Sequence, residues 1–134
     1  MSEEPQVGKT RNQGWEVGVR RTLPVQPTQA WQLILTHLGL SPAIHYAKGM
    51  AFETQNQTQV EIRSFKRGSL IRMKWQPPSW EINSTLQVRV IPAKTGTTIS
   101  VHHEWLADAE QRAEMLEHWT ALLEGFRDEL EQDA

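Results

Sequence analysis

Apolar residues recur along this chain with two different periods, and the switches between them mark out its elements. Trp15, Val17 and Val19 alternate with Glu16, Gly18 and Arg20, the period of two of a half-buried strand, which must end before Pro24. Pro27 suits the first turn of a helix. Trp31, Ile34, Leu35 and Leu38 then fall at helical spacing until Gly39 offers a stop. Ser41 before Pro42 opens, and Gly49 closes, a short segment with Ile44, Tyr46 and Ala47, which reads as a second short helix. Val60, Ile62 and Ser64 share one face of a strand. A turn at Arg67, Gly68 and Ser69 leads to another strand with Ile71, Met73 and Trp75 on one face, so the pair predicts a hairpin. Pro77 and Pro78 forbid continued ladder pairing, and the alternation resumes only at Leu86, Val88 and Val90. A further strand follows from Gly96 through Ile99, Val101 and His103 to Trp105. From Asp108, a suitable N-cap, a long helix carries Leu116, Trp119, Leu123, Phe126 and Leu130 on one stripe.

The 134 residues suffice for one domain of ordinary size, and 38% apolar residues with six Trp can fill a sizeable core. Residues 1 to about 13 are polar and read as a flexible arm, which leaves 14–132 as the domain. Fourteen Lys and Arg stand against 16 Asp and Glu, so no global basic field exists to favour nucleic acid as a partner. The absence of cysteine removes disulfides, thiolate catalysis and Cys-type zinc sites, and is compatible with a reducing compartment. The acidic start has no apolar core, and no stretch approaches about 18 consecutive apolar residues, so neither a signal peptide nor membrane insertion is expected. The expected location is the cytoplasm.

Three pieces taken in order carry a resemblance. Arg21-Thr22-Leu23-Pro24-Val25 is followed by Ala30-Trp31. The hairpin strands are Val60-Glu61-Ile62-Arg63-Ser64-Phe65 and Ile71-Arg72-Met73-Lys74-Trp75. Last come Trp75-Gln76-Pro77-Pro78-Ser79-Trp80, a Gly96-Thr97 strand ending in His102-His103-Glu104-Trp105, and a helix centred on Trp119. Over roughly Gly14 to Leu130 the chain resembles the Hsp90-ATPase-activator-like branch of the START/Bet v 1-like (SRPBCC) superfamily. The resemblance implies an α+β helix-grip fold, a curved antiparallel sheet wrapped around a long C-terminal helix, with two short helices after the first strand. It also implies a pocket between sheet and C-terminal helix for a small apolar or aromatic molecule or a lipid, in a stress-related role. The inward positions expected to line that pocket are Trp31, Tyr46, Met73, Trp75 and Val88, together with Ile99, Val101, His103, Trp119 and Leu123. Between Tyr46 and Val60 the chain is shorter than is usual in relatives, which alters the rim.

Other branches imply alternatives. One is a cyclase- or aromatase-like enzyme in which His103, with Tyr46 or Arg21, does acid–base work. Another is a co-chaperone-like interaction domain, although the separate Hsp90-binding domain of the eukaryotic co-chaperones has no counterpart in this sequence. Phosphate-binding loops, dinucleotide fingerprints, nucleophile elbows and His-Glu-x-x-His helices are all missing, so no cofactor is expected. His102, His103 and Glu104 do not make a metal site, because successive strand residues point to opposite faces. On the expected inward face, His103 must find hydrogen-bond partners, as a structural group or as a polar contact in a cavity. Trp31, Trp75, Trp105 and Trp119 all fall on expected inward faces, as core or as cavity wall. Met73 and Met115 are adaptable filler or lining. Trp80, after the double proline, belongs on a loop at the pocket's entrance.

Overall fold

In the computed structural model, residues 9–10 and 14–132 are described. The elements are β1 (Lys9–Thr10), β2 (Gly14–Leu23), α1 (Pro27–His37), β3 (Ala51–Glu53), β4 (Gln59–Lys66), β5 (Leu70–Gln76), β6 (Ser84–Ala93), β7 (Gly96–Leu106) and α2 (Ala109–Gln132). The strands form one antiparallel sheet in the order β1-β2-β7-β6-β5-β4-β3. Both helices lie on its inward face, α1 over β6 and β7 and α2 over β2 and β7. Most of the expected arm lies outside the described residues. Lys9 and Thr10 pair with Trp15 and Gly14.

Local chemistry sets the element ends much as the pattern predicts. Pro27 sits in the first turn of α1. At the other end Gly39 takes φ +79°, while its N–H bonds to the Thr36 carbonyl and that of Leu40 to the Leu35 carbonyl. This double closure satisfies two orphan carbonyls and needs a left-handed residue, which glycine adopts without Cβ strain. Asp108 Oδ1 accepts from the Gln111 N–H at 2.8 Å, the cap expected for α2. β5 ends at Gln76, just before the two prolines, and the sheet resumes at Ser84.

Across the sheet, one inward row runs Val17, His103, Leu86, Met73, Ile62 in register. On α2, Trp119, Leu123 and Phe126 are buried against this face, while Leu116, at the edge of the stripe, is exposed.

Three expectations need correction. Ser64 does not share the face of Val60 and Ile62, because a bulge between Ile62 and Ser64 pairs Ser64 with Arg72 and turns Phe65 towards Trp31 instead. The second short helix is not formed. Residues 40–50 make turns instead, because Tyr46 is drawn into the core, where its ring stacks on Phe52 at 5.5 Å and its hydroxyl accepts from the Ser41 N–H at 2.9 Å. A helix this short has little stability of its own to set against such contacts. Trp105 does not face inward. Trp15 pairs with Leu106 but Val17 with His103, so β7 carries one extra residue there, and Trp105 absorbs it at φ +59°. The bulge flips the alternation and leaves Trp105 46% exposed.

Candidate functional site

The centre of the inward face is a polar network inside apolar walls. His103 is fully buried. Trp119 Nε1–H donates to its Nδ1 at 3.1 Å, and Ser84 Oγ lies 2.8 Å from its Nε2. An indole nitrogen can only donate, so Nδ1 must be the accepting nitrogen and Nε2 carries the proton of the neutral ring. Nε2–H therefore donates to Ser84 Oγ, whose own hydroxyl donates to the Trp75 carbonyl at 2.6 Å. Every member is satisfied, the condition under which buried polar groups stabilise a core. Trp80 stacks on the imidazole at 5.7 Å and 16°, and Trp75 meets it edge-on at 5.2 Å. Burial, reinforced by the nearby imidazoles of His118 and His102, pushes the His103 pKa down to about 3.

That wiring decides what the Ser84–His103 pair can do. An activated serine needs a histidine lone pair aimed at its oxygen. Here the imidazole aims its proton at the serine, and the serine proton is committed to a backbone carbonyl. The pair is a structural brace in the geometry it holds.

The ten residues expected to line an interior pocket do converge on one core. Trp31, Tyr46, Met73, Val88, Ile99, Val101, His103, Trp119 and Leu123 are buried, and Trp75 is half-buried against them. The Trp31 ring packs against Phe65 at 6.0 Å, and its buried indole N–H has no acceptor among the described residues. Trp80 is on the loop foreseen for it, yet its ring covers His103. His102 and Glu104 point to the opposite face. There His102 Nδ1 lies 3.0 Å from Glu104 Oε1, and Arg72 reaches Glu104 Oε2 at 3.4 Å. Among the described residues no group of three or more His, Asp or Glu is placed to hold a metal.

None of those ten residues borders a second feature of the fold, a groove of about 1060 Å³ between α1 and α2 that opens to solvent. One wall is a stripe of α1, namely Gln29, Gln32, Leu33, Thr36 and His37. The other is a stripe of α2 running from Glu114 and Glu117 through His118, Ala121, Leu122, Gly125 and Phe126 to Glu129. Both stripes follow the i, i+3, i+4 spacing of a single helix face. His37 meets the Phe126 ring edge-on at 5.4 Å. His118 is held below the ordinary imidazole range by burial first and His37 second.

Gly125 is the informative member. It lies inside α2 with no positive φ, and a Cβ built on it would meet nothing within 4 Å. Glycine in a helix interior costs about 0.5–1 kcal/mol relative to alanine. Neither backbone conformation nor crowding requires it here, and what its missing side chain leaves is open space in the groove. Sequence reasoning missed this site because both walls look like ordinary solvated faces. The available signal was that one unexplained glycine.

The architecture, a curved antiparallel sheet gripping a long C-terminal helix, is the helix-grip fold of the Bet v 1-like superfamily. The family model described as "Activator of Hsp90 ATPase homolog 1-like protein" matches residues 26–131, and the chain belongs to that family. Among solved structures, it is similar to protein MLL2253 from Mesorhizobium loti, at 17% identity and TM-score 0.68, covering 89% of this chain and 98% of that one. The Aha1 dimer from Colwellia psychrerythraea matches at 12% identity and TM-score 0.62, covering 86% and 95%. The Hsp90 activator PFC0360w from Plasmodium falciparum matches at 19% identity and TM-score 0.54, covering 66% and 71%. At these identities the likeness speaks to fold. No curated protein matches the chain. Among the described residues no helix is long and apolar enough to cross a membrane.

Proposed function

We propose that this domain is a binding module for a small apolar or aromatic molecule, and that the ligand sits in the groove between α1 and α2. The observation that carries the reading is Gly125, a helix-interior glycine whose lost stability is offset by nothing in the packing and whose absent side chain keeps the groove open. Leu33, Ala121, Leu122 and Phe126 supply the apolar body of such a site, with polar groups around it to orient a ligand. The core beneath is occupied by its own rings and by the satisfied His103 network, which favours the groove over the sheet–helix interior. The same network weighs against an enzyme that uses His103 as a base. A chaperone contact rests on the family description and has no particular surface in its favour.

The test uses Nile red, a neutral apolar dye, with the wild-type chain and Gly125→Leu. The dye should brighten on binding the wild type. Gly125→Leu should abolish the signal while melting at the same temperature or higher, because leucine is the better helix former and enters open space. Dye binding that survives Gly125→Leu would remove the groove from the account, and no binding to the wild type would count against the reading itself.

A further inference from the structure

The groove has one sign of charge. Among the described residues its charged lining side chains are Glu114, Glu117 and Glu129, all carboxylates, and no described Lys or Arg borders it. α1, reading PTQAWQLILTH, contributes no Lys, Arg, Asp or Glu. The nearby guanidinium groups are engaged elsewhere: Arg21 with Glu124 at 2.7 Å, Arg127 with Glu131 at 3.5 Å, and Arg112 with the Glu16 carbonyl at 2.7 Å. Burial first and the neighbouring His37 second lower the His118 pKa, which disfavours a cation there to offset the carboxylates.

Spacing along α2 brings apolar and acidic parts within reach of one small molecule. The apolar stretch from Ala121 to Phe126 lies between Glu117 and Glu129. At a rise of about 1.5 Å per residue, those carboxylates start about 6 Å before and 4.5 Å after it. A fused aromatic ring seated on Leu122 and Phe126 would therefore hold a substituent within reach of either acid. Apolar walls weaken the solvent screening that an attraction between such a substituent and these carboxylates would meet on an open surface.

From this arrangement we infer that the groove selects aromatic or apolar ligands bearing a protonated amine over neutral and anionic isosteres. The inference rests on the binding reading above and adds to it the charge of the ligand. The probes are a matched set: naphthylmethylamine, which is cationic at neutral pH, naphthylmethanol, and naphthoate. Affinities for the full chain are compared by titration calorimetry at low ionic strength. The amine should bind about threefold to thirtyfold more tightly than the alcohol, the range that one or two partly exposed ion pairs support. Naphthoate should bind more weakly than the alcohol. Salt at about 0.5 M should collapse the preference while leaving alcohol binding nearly unchanged. The double variant Glu117→Gln, Glu129→Gln, on exposed positions of α2, should bring the amine and alcohol affinities together. Equal binding of amine and alcohol to the wild type would overturn the charge inference and leave the binding reading standing. If none of the three binds, the binding reading falls, and the charge inference with it. A preference unchanged in the double variant would also overturn the inference, since these carboxylates would not be its source.

Discussion

Holding a buried histidine neutral has a thermodynamic signature. In the folded chain the His103 pKa lies at about 3, whereas in the unfolded chain it returns to the ordinary imidazole value of 6.5. Above pH 6.5 both states carry a neutral ring and the group contributes no pH dependence. Below it, the unfolded chain takes up a proton that the folded chain refuses, so stability falls as the pH drops from 6.5 towards 3. The slope is about 1.4 kcal/mol per pH unit, so this one group should cost about 2 kcal/mol between about pH 7.5 and pH 5. His118 is shifted in the same direction and adds a background, so the measurement must be a difference. Urea unfolding across this range is compared for the wild type and for His103→Gln, which keeps a neutral donor and acceptor at the site but cannot titrate. Whatever its starting stability, the variant should show a pH dependence flatter by about 2 kcal/mol. Parallel curves for the two proteins would refute the claim that burial holds His103 neutral.

Three further outcomes follow from packing. Trp119→Ala removes a buried ring and orphans His103 Nδ1, so it should cost about 3–5 kcal/mol in chemical denaturation; a loss below about 0.5 kcal/mol would place the ring at the surface. His103→Phe puts a larger ring among Trp75, Trp80 and Trp119 and should destabilise by about 1–3 kcal/mol, whereas a neutral or stabilising result would reveal unfilled space beside the histidine. Gly125→Ala meets nothing within 4 Å and should raise stability by up to about 1 kcal/mol; a loss in calorimetric melting would mean that the glycine answers to packing.

Much of the fold can be read directly from residue patterns. The Pro27 start and Gly39 stop of α1, the Asp108 cap of α2, the hairpin turn at Gly68 and the break at the two prolines each follow from one residue's backbone chemistry, and the structure has them all. The inward stripe of Trp119, Leu123 and Phe126 follows from periodicity alone. Trp105 was not legible, because one extra residue in β7 opposite Glu16 reverses the alternation, and no composition signal precedes that bulge. The loop around Tyr46 was misread as a helix because its conformation is set by tertiary partners at Phe52 and Ser41. The groove was invisible for a different reason. Gln29, Gln32, Glu114 and Glu117 have the composition of any wet helix face, and only the placement of two such faces side by side turns them into walls.

The most direct test of ligand binding in the groove is an amide chemical-shift titration of the isotopically labelled chain with naphthylmethanol. Saturable shifts should concentrate at Leu33, Thr36, Ala121, Leu122 and Gly125, with Met73, Val101 and the Trp119 indole N–H little changed. Shifts centred instead on Met73, Val101, His103 and the Trp119 indole would move the site into the sheet–helix interior and contradict binding in the groove.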